Sequence, residues 1–331
     1  MAVPSTTSLT TFTELVSTTY RAHKAEVVDN VSNHNAFFRQ ISKKGNVEML
    51  DGGLTITYPI DFEDNATYQR YSGYDTLNIS NSEVLSSVEF QWRNVAIHVT
   101  ASGTEIRNNS GRNRIINLVK ARIKNAMRSM ANGLSQDFYS AGSLTNQIGG
   151  LQALIADAGT GTVGGINSST YTFWQNIVQD STDPLQGSAV TISATTIERF
   201  FFDLWNALER GSDHVDCIVA SDDYFGLFES SQQALRRYAD KDEADSGFVA
   251  LKCKGAKIWR DSAASGMPAA HAYFTNTDYF KLVAHQDAWM EMIDEQRSIN
   301  NDAVVMPILT QCNLVVTNRS LQGVARGLAA S

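Results

Sequence analysis

The sequence predicts an α+β fold of mixed order, and three observations predict it. One apolar stripe, stepping by three or four residues, runs unbroken from Ile116 to Phe138. Two earlier segments, near residues 54–60 and 88–99, alternate apolar and polar side chains. The later half interleaves strand-like and helix-like stretches without a regular βα repeat. With 331 residues the chain has the length of about two domains and can bury a sizeable core.

The first ten residues are polar and rich in Ser and Thr, which favours a mobile arm. From Thr11 to about Arg39, the residues Phe12, Leu15, Val16, Tyr20 and Val27 approximate helical spacing, and Gly45 is the stop. Leu54, Ile56, Tyr58 and Ile60 then alternate with Thr55, Thr57 and Pro59, a half-buried strand. Because Pro59 cannot donate to a ladder, this strand lies at an edge or leaves its sheet there. Val88, Phe90 and Trp92 form a second alternating set, which shifts phase to Val95, Ile97 and Val99. One extra residue near Arg93 and Asn94, a β-bulge, would keep both sets on one core.

Residues 61–83 lie between these strands, too many for a tight hairpin. Loops of this length are functional or disordered. Phe62, Tyr68, Tyr71 and Tyr74 decide between the two, because disordered tracts are poor in aromatics. An ordered projection that packs outside its own domain is expected, with Asp61, Glu63, Asp64, Asp75 and Glu83 giving it an acidic character and Arg70 the one cation.

The long helix is expected over 111–140, roughly 45 Å at 1.5 Å per residue. Arg112, Arg114, Lys120, Arg122, Lys124 and Arg128 all precede its first acid, Asp137. Two readings stand: a solvated face, or a face formed by Lys120, Lys124 and Arg128 that meets an anionic neighbour. Gly149 and Gly150 then open a glycine-rich boundary. Beyond it, Thr195 and Glu198 form a capping box ahead of Phe200, Phe201, Leu204 and Leu208, with Gly211 as the stop. Strands are expected in HVDCIVAS, FVALKCKGAKIWRD, AYFTNTDYFKLVAH and AVVMPILTQCNLVVT, and a short helix over 222–229.

Charged residues make up 19% of the chain, against roughly 25% in an ordinary soluble protein, so much of the surface is polar but weakly charged. Such a surface can be covered by other subunits without stranding many ions. The net charge of −8 counts against a dedicated nucleic-acid binder. Cys217, Cys253 and Cys312 are odd in number and far apart, and read as small buried hydrophobes in a reducing compartment. The N-terminal stretch lacks the basic and apolar regions of a signal peptide, and no apolar run reaches bilayer length. Cytosolic synthesis and use are expected, unless the chain leaves inside a larger particle.

No catalytic, cofactor or metal site emerges, and an enzyme is not expected. Gly159, Gly161 and Gly164 satisfy G-x-G-x-x-G, but no buried strand precedes them and no helix start follows. The histidines at 22, 34, 98, 214, 271 and 285 have no metal-ligand spacing. The acidic run Asp240, Asp242, Glu243, Asp245 departs from a calcium loop, with Asp245 at the glycine position and Leu251 at the glutamate position.

A helical arm, two strands flanking a long loop, one long helix, a glycine-rich switch and a strand-rich tail follow in that order. The series resembles the Hong Kong 97 fold of tailed-bacteriophage major capsid proteins. Four phrases look like one branch of that family: FQWRNVAIHVTASGTEIRNNSG, IGGLQALIADAGTGTVGGINSSTYTFWQN, IVASDDYFGLFESSQQALRRY and NRSLQGV. The resemblance implies an N-arm over 1–35 and the start of a peripheral domain over 36–60. It implies an E-loop tip over 61–83 and the peripheral domain with its spine helix over 84–145. An axial domain over 146–255, a peripheral return over 256–310 and a C-terminal strand beside the axial domain over 311–331 complete it.

It further implies a shell of pentamers and hexamers around double-stranded DNA. The partners are then other copies of the chain, a separate scaffolding protein, a portal at one vertex, weakly held DNA, a decoration protein in some shells, and no membrane. The loop tip holds no lysine, so the covalent crosslinks of the family's namesake are not expected from it. The chain begins close to its arm, without a long fused scaffolding segment. An encapsulin-like nanocompartment of the same fold is the alternative reading, followed by a discrete ligand-binding α+β oligomer.

Overall fold

The computed structural model describes residues 35–80, 83–104, 112–232, 250–294, 296–297 and 302–327, with the backbone alone for 112–121, 250 and 297. The expected arm, the helix expected before residue 35 and the acidic run 240–245 lie outside these residues.

Helix α1 spans Ala36–Lys44. Asn35 caps it by accepting from the Phe38 N–H at 2.8 Å. Gly45, at φ 76°, closes the other end by bonding the carbonyls of Ile41 and Ser42, so the predicted stop is the observed one. Ala36, Phe37, Phe38 and Ile41 are buried. The first turn is anchored through the carboxylate of Asp261, which accepts from the Tyr139 hydroxyl at 2.6 Å and the Ala36 N–H at 3.2 Å. Burial raises the pKa of Asp261 against those bonds.

The first sheet is built on one long strand. Strands β1 (Val47–Leu50), β4 (Arg93–Ser102), β12 (Phe280–His285), β13 (Glu291–Met292) and β14 (Gln296–Arg297) surround β15 (Ala303–Val316). β4 pairs antiparallel along one side of β15, from Ser102↔Ala303 to Arg93↔Cys312. β14, β13 and β12 share the other side, and β1 lies parallel beyond β12. Pro307 falls between the stretches paired with β14 and β13, and its carbonyl accepts from Ile293 on that side. The donor it lacks is therefore missing where the ladder is already interrupted.

Helix α2 (Arg112–Asp137) packs on β4. Its 26 residues make it about 39 Å long, slightly shorter than expected. Ile123, Ala126, Met127, Met130, Ala131 and Leu134 form its buried stripe. Gly150 follows at a close approach: a Cβ there would lie 2.3 Å from Ser140 N and 2.4 Å from Asp137 O. The short helix α3 (Leu151–Leu154) starts at that point.

Strands β2 (Thr55–Asp61) and β3 (Leu85–Gln91) form a separate two-stranded ribbon, paired from Thr55↔Gln91 to Asp61↔Leu85. Both are edges, which accommodates Pro59 opposite Ser87. The phase shift expected as a bulge has another cause. The chain breaks at Trp92 and changes partner, so β3 belongs to the ribbon and β4 to the first sheet. The Trp92 indole marks the junction by donating to Gly53 O at 2.9 Å.

The second sheet has the order β7 (Ile177–Asp180), β16 (Gly323–Arg326), β11 (His271–Thr275), β8 (Cys217–Ala220), β10 (Ala256–Arg260) and β9 (Ala250–Cys253). Helices α4 (Ile197–Leu208) and α5 (Asp222–Ser231) bury Phe200, Phe201, Leu204, Tyr224 and Phe228 against it. The expected capping box is not formed. Thr196 is the N-cap, without a side-chain cap bond, and its hydroxyl accepts from the Ser193 N–H and donates to Thr191 O. The helix stops at Glu209, before Gly211.

Residue 255 is not a sheet boundary, since β10 and β11 both belong to the second sheet. The chain re-enters the first sheet at Phe280, stays there through Val316, and returns to the second at Gly323. Both crossings meet at Gln322, which is fully buried. Its side chain accepts from Asn276 N–H at 2.9 Å and donates to Asn276 O and Asn318 O.

Candidate interaction surfaces

The loop beyond the ribbon projects from the body and is braced by its own side chains. The Gln69 amide spans it, donating to Thr76 O at 3.2 Å and accepting from Asn78 N–H at 3.1 Å. Asp75 accepts from the Ser72 N–H at 2.7 Å, and Asn65 and Asn78 each close a local turn two residues on. This framework turns apolar surface outward. Tyr68 is 82% exposed, Ile79 93% and Tyr74 completely, with Tyr71, Leu77 and Leu85 also exposed.

Of the residues expected to meet a neighbour, Asp61, Glu63, Asp64, Tyr68, Arg70, Tyr71, Tyr74 and Asp75 are all exposed in the single chain. Phe62 is different: it stacks on Phe173 with centroids 5.1 Å apart and packs the loop base against its own body. Leu77, Ile79 and Leu85 were not singled out from sequence. They lie in and beside the stretch read as a loop, and all three are exposed in the single chain.

The ribbon rests on residues 154–176. There β5 (Thr162–Val163) and β6 (Ile166–Asn167) form a hairpin turned by Gly164 and Gly165 at φ 59° and 80°. The glycines of the nucleotide-like motif thus serve this turn and its approaches. Gly164 O accepts from the Glu89 N–H at 3.0 Å, and a Cβ on Gly164 would lie 3.1 Å from Val88 and Phe90. A cleft of about 350 Å³ opens beside the contact, lined by Ile60, Phe62, Trp174, Arg210, Tyr279 and Asn318 among others.

On α2, Lys124 and Arg128 are exposed, one turn apart, and Arg128 reaches Asn125 within the helix at 3.2 Å. The Lys120 side chain lies outside the described residues. Arg122 points elsewhere and donates to the Thr100 carbonyl of β4, so that cation ties helix to sheet. All three cysteines are buried, and burial pushes the Cys253 and Cys312 thiols up to about 12. Among the described residues no group of three His, Cys, Asp or Glu side chains is placed to hold a metal, and no helix is long and apolar enough to cross a membrane.

The path of the chain is similar to that of solved phage shells. The cyanophage A-1(L) capsid asymmetric unit matches with a TM-score of 0.60 at 15% identity, over 86% of this chain and 91% of that one. The capsid of Myoviridae phage XM1 matches at 0.52 and 11% identity, over 87% and 92%. The satellite phage P4 procapsid including size determination (Sid) protein matches at 0.50 and 9% identity, over 93% and 92%. No family model and no curated protein matches the sequence. The fold is therefore the α+β, Hong Kong 97-type fold of phage capsid proteins.

Proposed function

We propose that the chain is the major capsid protein of a tailed bacteriophage, a structural subunit rather than an enzyme. Copies assemble into pentamers and hexamers that close an icosahedral shell around double-stranded DNA. One observation carries this reading: an ordered, projecting loop that turns Tyr68, Tyr71, Tyr74 and Ile79 to solvent. Exposed apolar surface of this kind marks a protein contact. A projection on one side and a receiving body on the other make a heterologous contact, which closes when the rotation between copies closes.

Residues 1–35 then serve as the N-arm, 61–83 as the E-loop tip, and α2 as the spine helix. The first sheet is the core of the peripheral domain and the second sheet that of the axial domain. Lys124 and Arg128, with Lys120, form a modest positive face towards packaged DNA, where weak contact suits a genome that must leave. The P4 procapsid carries a size-determination protein, and a separate scaffolding protein is the matching partner here, with a portal at one vertex. Assembly takes place in the host cytoplasm and the product is the virion.

Electron microscopy and sedimentation of the purified chain test this. Closed shells, empty or holding DNA, are the expected result. A compact oligomer with a saturable ligand would sink the reading, and shells filled with cargo protein would move it to a nanocompartment.

A further inference from the structure

We propose that Arg319 is the positioning residue of the projecting ribbon: its guanidinium gathers residues 154–176 into a platform, and the platform sets the angle at which the ribbon leaves the body. The functional weight of this rests on the assembly reading above. The geometry does not.

Arg319 is fully buried. Its Nε donates to Leu154 O at 2.7 Å, and its Nη1 donates to Ser168 Oγ at 2.9 Å and to Trp174 O at 3.2 Å. Three points separated by up to twenty residues are thus held by one planar, rigid group. Lysine, a single flexible point charge, cannot reproduce that fork.

No carboxylate takes part in these bonds. Burial alone shifts the guanidinium downward, to about 10. An ion held only by carbonyls and a hydroxyl is costly to bury, so its retention calls for a geometric return.

That return is visible at both ends of the arginine. Its root is fixed in the crossing between the sheets, where Gln322 N–H donates to Arg319 O at 3.1 Å and the Gln322 side chain holds Asn318 O. At the other end, two of the three gripped points continue into the ribbon's support. Ser168 Oγ passes a bond to Gly161 O at 2.8 Å, beside the hairpin. The Trp174 indole donates to Val163 O at 3.0 Å. Next come the Gly164 carbonyl under Glu89 and the Phe173 ring under Phe62. The ribbon continues covalently into the first sheet, and Arg319 references it to the second.

A core arginine with no positioning role would change stability without moving the ribbon. Paired nitroxide labels on unassembled full-length subunits, at Ser86→Cys on β3 and Ala207→Cys on α4, separate the two cases, because the native cysteines are buried. With Arg319 intact the distance distribution should be narrow. Arg319→Met should broaden and shift it while the circular dichroism stays native, and Arg319→Lys should fall between. Should Arg319→Met fail to fold, Ser168→Ala removes one gripped point and is read in the same way.

An unchanged distribution in a folded Arg319→Met chain, or in Ser168→Ala where that is the readable variant, overturns the proposal. Shell formation is scored separately. If the unmodified chain forms no shells the assembly reading falls, while the distances still judge Arg319.

Discussion

At Gly150 the backbone of the next segment touches the end of α2, and the space for a methyl group is occupied by the Asp137 carbonyl and Ser140 amide. Gly150→Ala should therefore destabilise the chain by roughly 1–3 kcal/mol, the usual cost of overpacking, read as a lower denaturant midpoint. The sequence offered the glycine pair as a boundary. The contact that requires Gly150, with a helix end thirteen residues back, was not legible there. His271 makes a second residue-scale case. It holds Asp157 at 3.2 Å through Nε2 and the Ala269 carbonyl at 2.7 Å through Nδ1, so both ring nitrogens face acceptors. Burial opposes its charge and Arg326 opposes it further, but the bonds to Asp157 and Ala269 prevail and its pKa is raised. Stability from this pair is then complete below the ordinary histidine value of about 6.5 and is lost as pH rises through the higher folded value. An NMR titration should place the His271 midpoint above 6.5. In Asp157→Asn the midpoint should drop, and an unmoved midpoint would show the pair to be idle. Nothing in the sequence joined these two residues, which lie 114 positions apart.

Among elements, α2 and the ribbon strands were legible because each carries its period in its own residues. The β3 to β4 step was misread for a physical reason: a bulge and a change of partner strand shift the alternation identically. The order of the second sheet was hidden, since β8–β10 and β7–β16 pair in parallel across distant segments. The loop tip was legible as aromatic and acidic, whereas its platform was not, because an arginine in a polar turn such as NRSLQG reads as a surface cation. Deleting Ala66 to Asn78 should leave a folded subunit, with native circular dichroism, that forms no shells. Normal shells from that deletion would remove the loop from the interface. On α2, Lys124→Glu with Arg128→Glu should leave shell yield unchanged and reduce retained DNA, most clearly at low salt, where phosphate contacts are strongest. Lost shell yield would instead mark these cations as partners of a neighbouring subunit.

For the whole molecule, a heterologous contact requires every copy to give and to receive. Subunits lacking 66–78 can receive a neighbour's loop but give none, so co-expression with the intact chain should lower shell yield in proportion to dose. Undiminished yield at equal expression would mean that the loop is dispensable for closure. The sheets do not follow one another along the sequence, because the chain visits the second sheet, leaves it at Thr275 and returns at Gly323, and no local pattern of residues reports such a return. The Gln69 brace has a further consequence on this scale. Because the Gln69 amide bonds both Thr76 and Asn78, the tip between residues 69 and 78 loses conformational freedom when the subunit folds, before any neighbour arrives. Ordering a segment at the moment of contact weakens association, and a closed particle repeats that penalty at every subunit. A side chain that spares each copy a small entropic loss therefore favours closure by that loss multiplied by the copy number. Gln69→Ala should therefore raise the concentration at which particles first appear, by the factor that the per-subunit loss sets, while the circular dichroism of the single chain stays native.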